Sequence, residues 1–325
     1  MKKLQLSLLL LAGTFTLACG KDLQVSELDD ITQDYTETNR SDNNQGPSGE
    51  GLISDSIKLI PDAYRKEAGE KGKVVRLDYG DKYALVYLPH GYDESDRKYD
   101  VFYLMHGGGG SPQTWFAGGA GSDSSFKRLL DNMMEQQETE PFIVVCPTFY
   151  APVSNEYVNA VSVFPEEFKK RLIPAVDEQF RTLSSRNHRF FGGFSMGSVC
   201  TWYVFLQALD SVRYFAPHSG DCWVAGQMGG ENAPERTAEL LADAISTFEY
   251  TPKDFFIYSI TGSNDIAYSS LRPQIEAMKG QEKFIFSNDM NKGNLYFSVL
   301  EGASHTYSAA EIYAYNAMLA FCHKR

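Results

Sequence analysis

From about residue 55 onward the chain alternates short apolar runs with amphipathic stretches. The runs at 101–106 (VFYLMH), 142–147 (FIVVCP), 189–194 (RFFGGF), 214–219 (YFAPHS), 255–262 (FFIYSITG) and 295–302 (LYFSVLEG) have strand length and almost no charge. Strands covered by helices on both faces read this way, whereas a half-solvated strand alternates apolar with polar positions. Two further β-rich segments, 73–79 and 82–89, lie a few residues apart and predict an antiparallel pair at a sheet edge. Phe164, Phe168, Leu172, Val176 and Phe180 return every fourth residue with Glu and Lys between them, so 163–183 predicts a helix with one apolar face. Other helices are predicted at 124–138, 195–209, 234–247, 267–280 and 307–322. Repeated βα units imply an α/β domain over 55–325, with a mostly parallel central sheet and helices on both faces. Ligands of such sheets gather at the carboxyl ends of the strands.

Upstream of residue 55 the pattern is different. Lys2 and Lys3 precede an apolar stretch from Leu4 to Leu17, which is too short to span a bilayer and predicts an export signal. Thr16-Leu17-Ala18-Cys19 resembles a bacterial lipoprotein box, in which Cys19 is lipidated, although Thr16 stands where an aliphatic residue is usual. Simple secretion is the alternative. The expected location is the outer membrane or cell surface as a lipoprotein, otherwise the periplasm or the medium. Residues 20–54 are polar, without aliphatic periodicity, and predict a flexible linker.

Composition narrows the partners. Lys and Arg number 30 against 42 Asp and Glu, a formal net charge of -12, which disfavours nucleic acid and anionic lipid and suits a neutral polysaccharide. Contact with a membrane is expected only through the lipid anchor. Cys146, Cys200, Cys222 and Cys322 remain beyond Cys19. In an exported chain they permit disulfides, and buried free thiols are an equal reading.

The strongest chemical signal is Gly193-Phe194-Ser195-Met196-Gly197, between a predicted strand and a predicted helix. It resembles the nucleophile elbow of α/β-hydrolases, where a serine sits on a strained turn and small neighbours let strand and helix approach. A serine hydroxyl needs a base, and in that fold the acid and then the histidine follow the serine in the chain. Of six histidines, His305 and His323 lie beyond Ser195 with room for an acid between. His305, just past the last apolar run in EGASHTY, is the candidate base, and His323 at the terminus reads as solvated. Asp265, in TGSNDIAY, is the candidate acid, and Asp221, in HSGDCW, is its rival. LMHGGGGS at 104–111 supplies unencumbered backbone amides, so Gly108 or Gly109, together with Met196, is expected to form the oxyanion hole. No HExxH and no Cys/His spacing suggests a metal, and no cofactor is expected.

These segments together resemble carbohydrate esterase family 1, the esterase D-like α/β-hydrolases, and most closely the feruloyl esterase domains of bacterial xylanases. The likeness spans about 55–325 and rests on YLPHGYD (87–93), YLMHGGGG (103–110), GGFSMGSVCTWYV (192–204), FAPHSGDCW (215–223), TGSNDIAY (261–268) and ASHTY (303–307). It implies a Ser195–His305–Asp265 triad, an acyl-enzyme, and hydrolysis of hydroxycinnamoyl esters on plant cell-wall arabinoxylan. It also implies Trp115, Phe116 and Trp223 near the substrate. Acetyl xylan esterases share the fold and triad, and a non-catalytic carbohydrate-binding relative is the remote alternative.

Overall fold

The computed structural model describes residues 51–118, 123–151 and 157–322. Eight strands form one sheet in the order β1-β2-β4-β3-β5-β6-β7-β8. They are β1 (Lys73–Tyr79), β2 (Lys82–Leu88), β3 (Val101–Met105), β4 (Ile143–Cys146), β5 (Arg189–Phe194), β6 (Tyr214–His218), β7 (Phe256–Asn264) and β8 (Leu295–Ser304). β1 pairs antiparallel with β2, and β2 with β4; the other five pairings are parallel. The mostly parallel sheet is the one expected from the βα alternation, and the fold is the α/β-hydrolase fold that the family resemblance implied.

The helices are α1 (Ser125–Glu135), α2 (Tyr157–Glu167), α3 (Ile173–Gln179), α4 (Met196–Ala208), α5 (Gly229–Asn232), α6 (Pro234–Thr247), α7 (Tyr268–Lys279) and α8 (Tyr307–Phe321). α1 and α8 cover one face of the sheet, where Phe126, Leu129, Tyr313 and Met318 pack on Phe102, Phe190 and Ile260. The other face carries α2, α3, α4, α6 and α7, with Phe164, Val176, Trp202, Leu241 and Ile275 around Tyr103, Phe191 and Phe215. α4 lies under so much of this layer that it is apolar nearly all round.

The helix predicted at 163–183 is not a plain α-helix. A π-helical turn, Phe168–Leu172, joins α2 to α3. An α-helix turns about 100° per residue, so a strict four-residue repeat drifts about 40° each time around the axis. The wider π turn winds that drift back, and all five repeat residues end up buried.

Two other boundaries differ from expectation. Residues 51–54 belong to the folded domain rather than to a linker: the Ile53 N–H donates to the Asn288 carbonyl at 2.8 Å, and the Met290 N–H donates to the Gly51 carbonyl at 2.7 Å. Ile53 supplies the apolar side chain that makes this docking favourable, and it is buried. β7 and β8 each run two residues beyond their predicted ends. Their last register pair, Asn264 with Ser304, therefore delivers Asp265 and His305 side by side at the carboxyl edge of the sheet. The predicted signal segment and Cys19, like His323, lie outside the described residues. The four cysteines 146, 200, 222 and 322 are buried, and no disulfide joins them to one another. Among the described residues no helix is long and apolar enough to cross a membrane.

Candidate active site

Ser195 follows the last residue of β5 and precedes α4, with φ 58° and ψ -118°. A non-glycine residue in that region is strained, and the strain persists only where its surroundings over-determine it. The surroundings here are backbone. The Ser195 N–H donates to the His218 carbonyl at 3.0 Å, and the Ser195 carbonyl accepts from the N–H groups of Ser198 and Val199. A methyl on Gly193 would lie 2.6 Å from the Gly197 carbonyl, and one on Gly197 would lie 2.6 Å from the His106 carbonyl. Both glycines of the pentapeptide are thus required by close approach of main chain to main chain.

The His305 ring bridges the serine and the acid. Its Nε2 is 2.9 Å from Ser195 Oγ and its Nδ1 is 2.8 Å from Asp265 Oδ1. With a carboxylate at Nδ1, the proton sits there and donates to Asp265, leaving Nε2 to accept from the serine hydroxyl. The Asp265 side chain is fully buried, and its Oδ1 also accepts the Ala267 N–H at 2.8 Å, which fixes the carboxylate in its turn. The imidazole lies against the Phe194 ring, with centroids 4.5 Å apart.

Asp221, the rival acid, serves a different structure. Its Oδ1 accepts the Trp223 indole N–H at 3.2 Å and its Oδ2 accepts the Gly230 N–H at 2.8 Å, so both carboxylate oxygens are committed away from His305. Burial pushes its pKa above the ordinary carboxylate value.

The glycine loop after β3 is held open by side chains that the sequence did not flag. The Gly107 N–H donates to the Tyr307 hydroxyl at 2.9 Å, and the Gly109 N–H donates to the Tyr150 hydroxyl at 2.7 Å. His106 Nδ1 donates to the Gly107 carbonyl at 2.7 Å, and its Nε2 accepts from the Thr148 hydroxyl at 2.8 Å. Burial lowers the His106 pKa to about 4, so the ring is neutral and keeps this single-proton arrangement. Of the two glycines expected to donate to an oxyanion, Gly109 is therefore excluded, because Tyr150 occupies its N–H. Gly108 remains: a methyl there would lie 3.3 Å from Met196 Cγ, so Gly108 and Met196 are neighbours across the mouth of the site. Neither amide has a protein partner among the described residues.

The aromatic residues divide. Trp115 is buried, with its ring against Phe126 at 5.0 Å and edge-on to Tyr307 at 5.5 Å. It braces the tyrosine that holds the glycine loop. Phe116 lines a cleft of about 500 Å³ with Val74, Leu85 and Lys127, and none of the three residues at the serine contributes to that cleft. Both were expected near the substrate from the family resemblance, and an apolar residue beside a glycine loop packs inward as readily as outward. Trp223 is half-buried, in the loop that follows Gly220, and a methyl on Gly220 would lie 2.6 Å from the Ser195 carbonyl. The loop that carries Trp223 thus starts beside Ser195. Among the described residues no group of three or more His, Cys, Asp or Glu side chains is arranged to hold a metal ion.

No protein-family model matches the chain. It is 39% identical over 278 residues to endo-1,4-beta-xylanase Y of Acetivibrio thermocellus, covering 81% of this chain and 24% of that protein. It is 31% identical over 151 residues to an endo-1,4-beta-xylanase/feruloyl esterase of Xylanibacter ruminicola, covering 43% of this chain and 20% of that one. The chain thus spans a quarter or less of the length of these relatives. Among solved structures it is similar to a mutant of the feruloyl esterase module from Clostridium thermocellum complexed with sinapinate. That likeness has a TM-score of 0.76 and 36% identity, over 85% of this chain and 97% of that one.

Proposed function

This chain belongs to carbohydrate esterase family 1, as a feruloyl-esterase-like serine hydrolase of carboxylic esters, and from that premise we propose that it cleaves hydroxycinnamoyl esters on plant cell-wall arabinoxylan through Ser195, His305 and Asp265. The observation that carries this reading is the continuous hydrogen-bonded path from Ser195 Oγ through the His305 ring to the buried Asp265 carboxylate.

The chemistry follows from that path. His305 Nε2 takes the proton as Ser195 Oγ adds to the ester carbonyl, and Asp265 stabilises the imidazolium that forms. Charge develops on the former carbonyl oxygen, where the Gly108 and Met196 N–H groups meet it. Collapse breaks the bond to the sugar oxygen, which takes the proton back from His305 and leaves. Water then enters and gives a proton to His305 as its oxygen adds to the acyl carbon; collapse breaks the bond to Ser195 Oγ, which takes that proton back, and the carboxylic acid leaves. The acidic net charge of the chain fits a neutral polysaccharide carrier and opposes nucleic acid.

A comparison of kcat/KM on methyl ferulate, acetylated xylan and an aryl acetate tests the substrate class. A clear preference for ferulate supports it. Preference for acetylated xylan makes the protein an acetyl xylan esterase with the same triad.

We propose further that the protein is exported and tethered through lipidated Cys19, on the strength of the lipobox-like 16–19 segment and the polar stretch that follows it. Fractionation of the producing cells tests this: wild-type protein partitions with membrane and Cys19→Ser does not. Wild-type protein wholly soluble outside the cell would instead mean plain secretion.

A further inference from the structure

We propose that Asp221 is a specificity-positioning residue, whose buried carboxylate fixes the Trp223 ring as one wall of the acyl site. This inference rests on the aromatic-acyl reading above and adds to it the device that sets the wall.

The geometry is a closed loop, Asp221 to Gly230, clamped at its base. Asp221 Oδ2 accepts the Gly230 N–H at 2.8 Å, joining the first residue to the last, and Cys222 N–H donates to Gln274 Oε1 of α7 at 2.6 Å. A methyl on Gly230 would lie 2.4 Å from the Ser270 carbonyl, so the end of the loop lies flush against α7. One end of the loop therefore starts next to the residue that touches Ser195, and the other is pressed onto the helix that follows Asp265. Within it Gly226 and Met228 have positive φ, 114° and 53°, and the chain folds sharply between them.

The loop and its neighbour display apolar surface to solvent. Met228 is 38% exposed, and Ile266, the residue after Asp265, is 75% exposed. Exposed side chains of this size flanking a polar catalytic pair are what an aromatic acyl group would use. Trp223 is the large planar side chain of the same loop, half-buried against the core, and an indole with one side open has several rotamers available to it. Asp221 Oδ1 removes that freedom by accepting the indole N–H at 3.2 Å. One carboxylate thus does two jobs, and both need an acceptor. Asn in its place offers one acceptor and one N–H₂ donor. With its oxygen toward Gly230, its amide faces the indole N–H donor to donor, and the ring is released. A ring that must be ordered on binding weakens binding of a planar acyl group and scarcely affects an acetyl group.

A double-mutant cycle tests this with p-nitrophenyl ferulate and p-nitrophenyl acetate, which share a leaving group. The readout is the ratio of kcat/KM for the two esters in wild type, Asp221→Asn, Trp223→Phe and the double variant. Asp221→Asn should lower the ferulate/acetate ratio about five-fold, chiefly through KM, the size expected for one lost hydrogen bond. Trp223→Phe keeps a ring, the carboxylate and the Gly230 bond but deletes the indole donor, and should lower the ratio by a similar factor. The double variant should fall no further than either single one, because the same contact is being removed. If Asp221→Asn fails to fold, Trp223→Phe still decides, since an unchanged ratio there overturns the proposal. Effects that multiply in the double variant overturn it as well. A wild-type enzyme that shows no preference for ferulate sinks the aromatic-acyl reading first, and this proposal with it; a ferulate/acetate ratio left unchanged by Asp221→Asn sinks this proposal alone.

Discussion

Ser195 and His218 are tied by one backbone hydrogen bond, from the serine N–H to the histidine carbonyl at 3.0 Å. The bond crosses from the end of β5 to the end of β6, where Phe194 and His218 are register partners. The strained Ser195 is therefore held by the sheet itself and not only by its own turn. Just beyond, the Gly220 carbonyl accepts two side-chain donors, Ser198 Oγ at 2.6 Å and Trp202 Nε1 at 2.9 Å, both from α4. The helix that begins after Ser195 is thus bonded back to the strand connection that supports it.

This clamp makes Gly197 sensitive to the smallest addition. A methyl there meets backbone oxygens of His106 and Met105 at 2.6 and 2.7 Å, and neither can swing aside as a flexible side chain would. Gly197→Ala should cost several kcal/mol of stability, on the order of 2–4, and at least 100-fold in kcat. Urea denaturation and steady-state kinetics measure the two effects. Full activity in Gly197→Ala would mean that α4 can shift away from β3 without disturbing the serine.

Ser195 and His305 should behave as one unit. Ser195→Ala and His305→Ala are each expected to lower kcat by about 10⁴–10⁶, with the double variant little worse than either. Asp265→Asn should cost less than either. Asp221→Asn should leave p-nitrophenyl acetate hydrolysis far closer to wild type than Asp265→Asn does. The reverse order of those two aspartates would exchange their roles.

Much of this was legible in the sequence. The eight apolar or β-rich runs located the eight strands because a doubly covered strand has few ways to be written, and Ser195, His305 and Asp265, singled out at the ends of those runs, lie within hydrogen-bond reach of one another. What did not show was support. Tyr150 and Tyr307 hold glycine N–H groups from 41 and 200 residues away, and a tyrosine in a loop or at a helix start carries no local mark of that duty. For Trp115 and Phe116 the size of the side chain announces burial of apolar area but not the direction of burial. The π turn at Phe168–Leu172 was visible only as a repeat of four where an α-helix prefers 3.6.

Tyr307→Phe tests the support of the glycine loop. The change removes the acceptor of the Gly107 N–H and leaves that buried amide unpaired, a cost of about 1–3 kcal/mol. Because the loop presents the Gly108 N–H, the loss should fall on kcat, by about ten-fold, more than on KM. Tyr150→Phe frees the Gly109 N–H and should act in the same direction. A tyrosine-to-phenylalanine change that alters only KM would remove the loop from the oxyanion site.

Two buried histidines should govern stability in mild acid. Burial lowers the pKa of His106 to about 4 and that of His218 to about 3. Both therefore stay neutral in the folded protein, while in the unfolded chain each protonates below about 6.5. Above that pH neither state binds the proton and the pair contributes no pH dependence. Below it the unfolded state gains protons that the folded state refuses, so stability must fall as pH drops from about 6.5 toward 4. Each unit of separation is worth about 1.4 kcal/mol, so the two together can remove several kcal/mol before the carboxylates titrate. His106 is held at both ring nitrogens, but neither His218 nitrogen has a partner among the described residues, and its ring lies near Tyr313 at 5.8 Å. His218→Leu thus removes a titrating group without orphaning a hydrogen bond, and the His218 carbonyl remains to hold Ser195. Urea midpoints measured at half-unit steps from pH 7 to 4 should decline for the wild type and decline about half as steeply for His218→Leu. Parallel curves for the two proteins would show that His218 is protonated in the folded state after all.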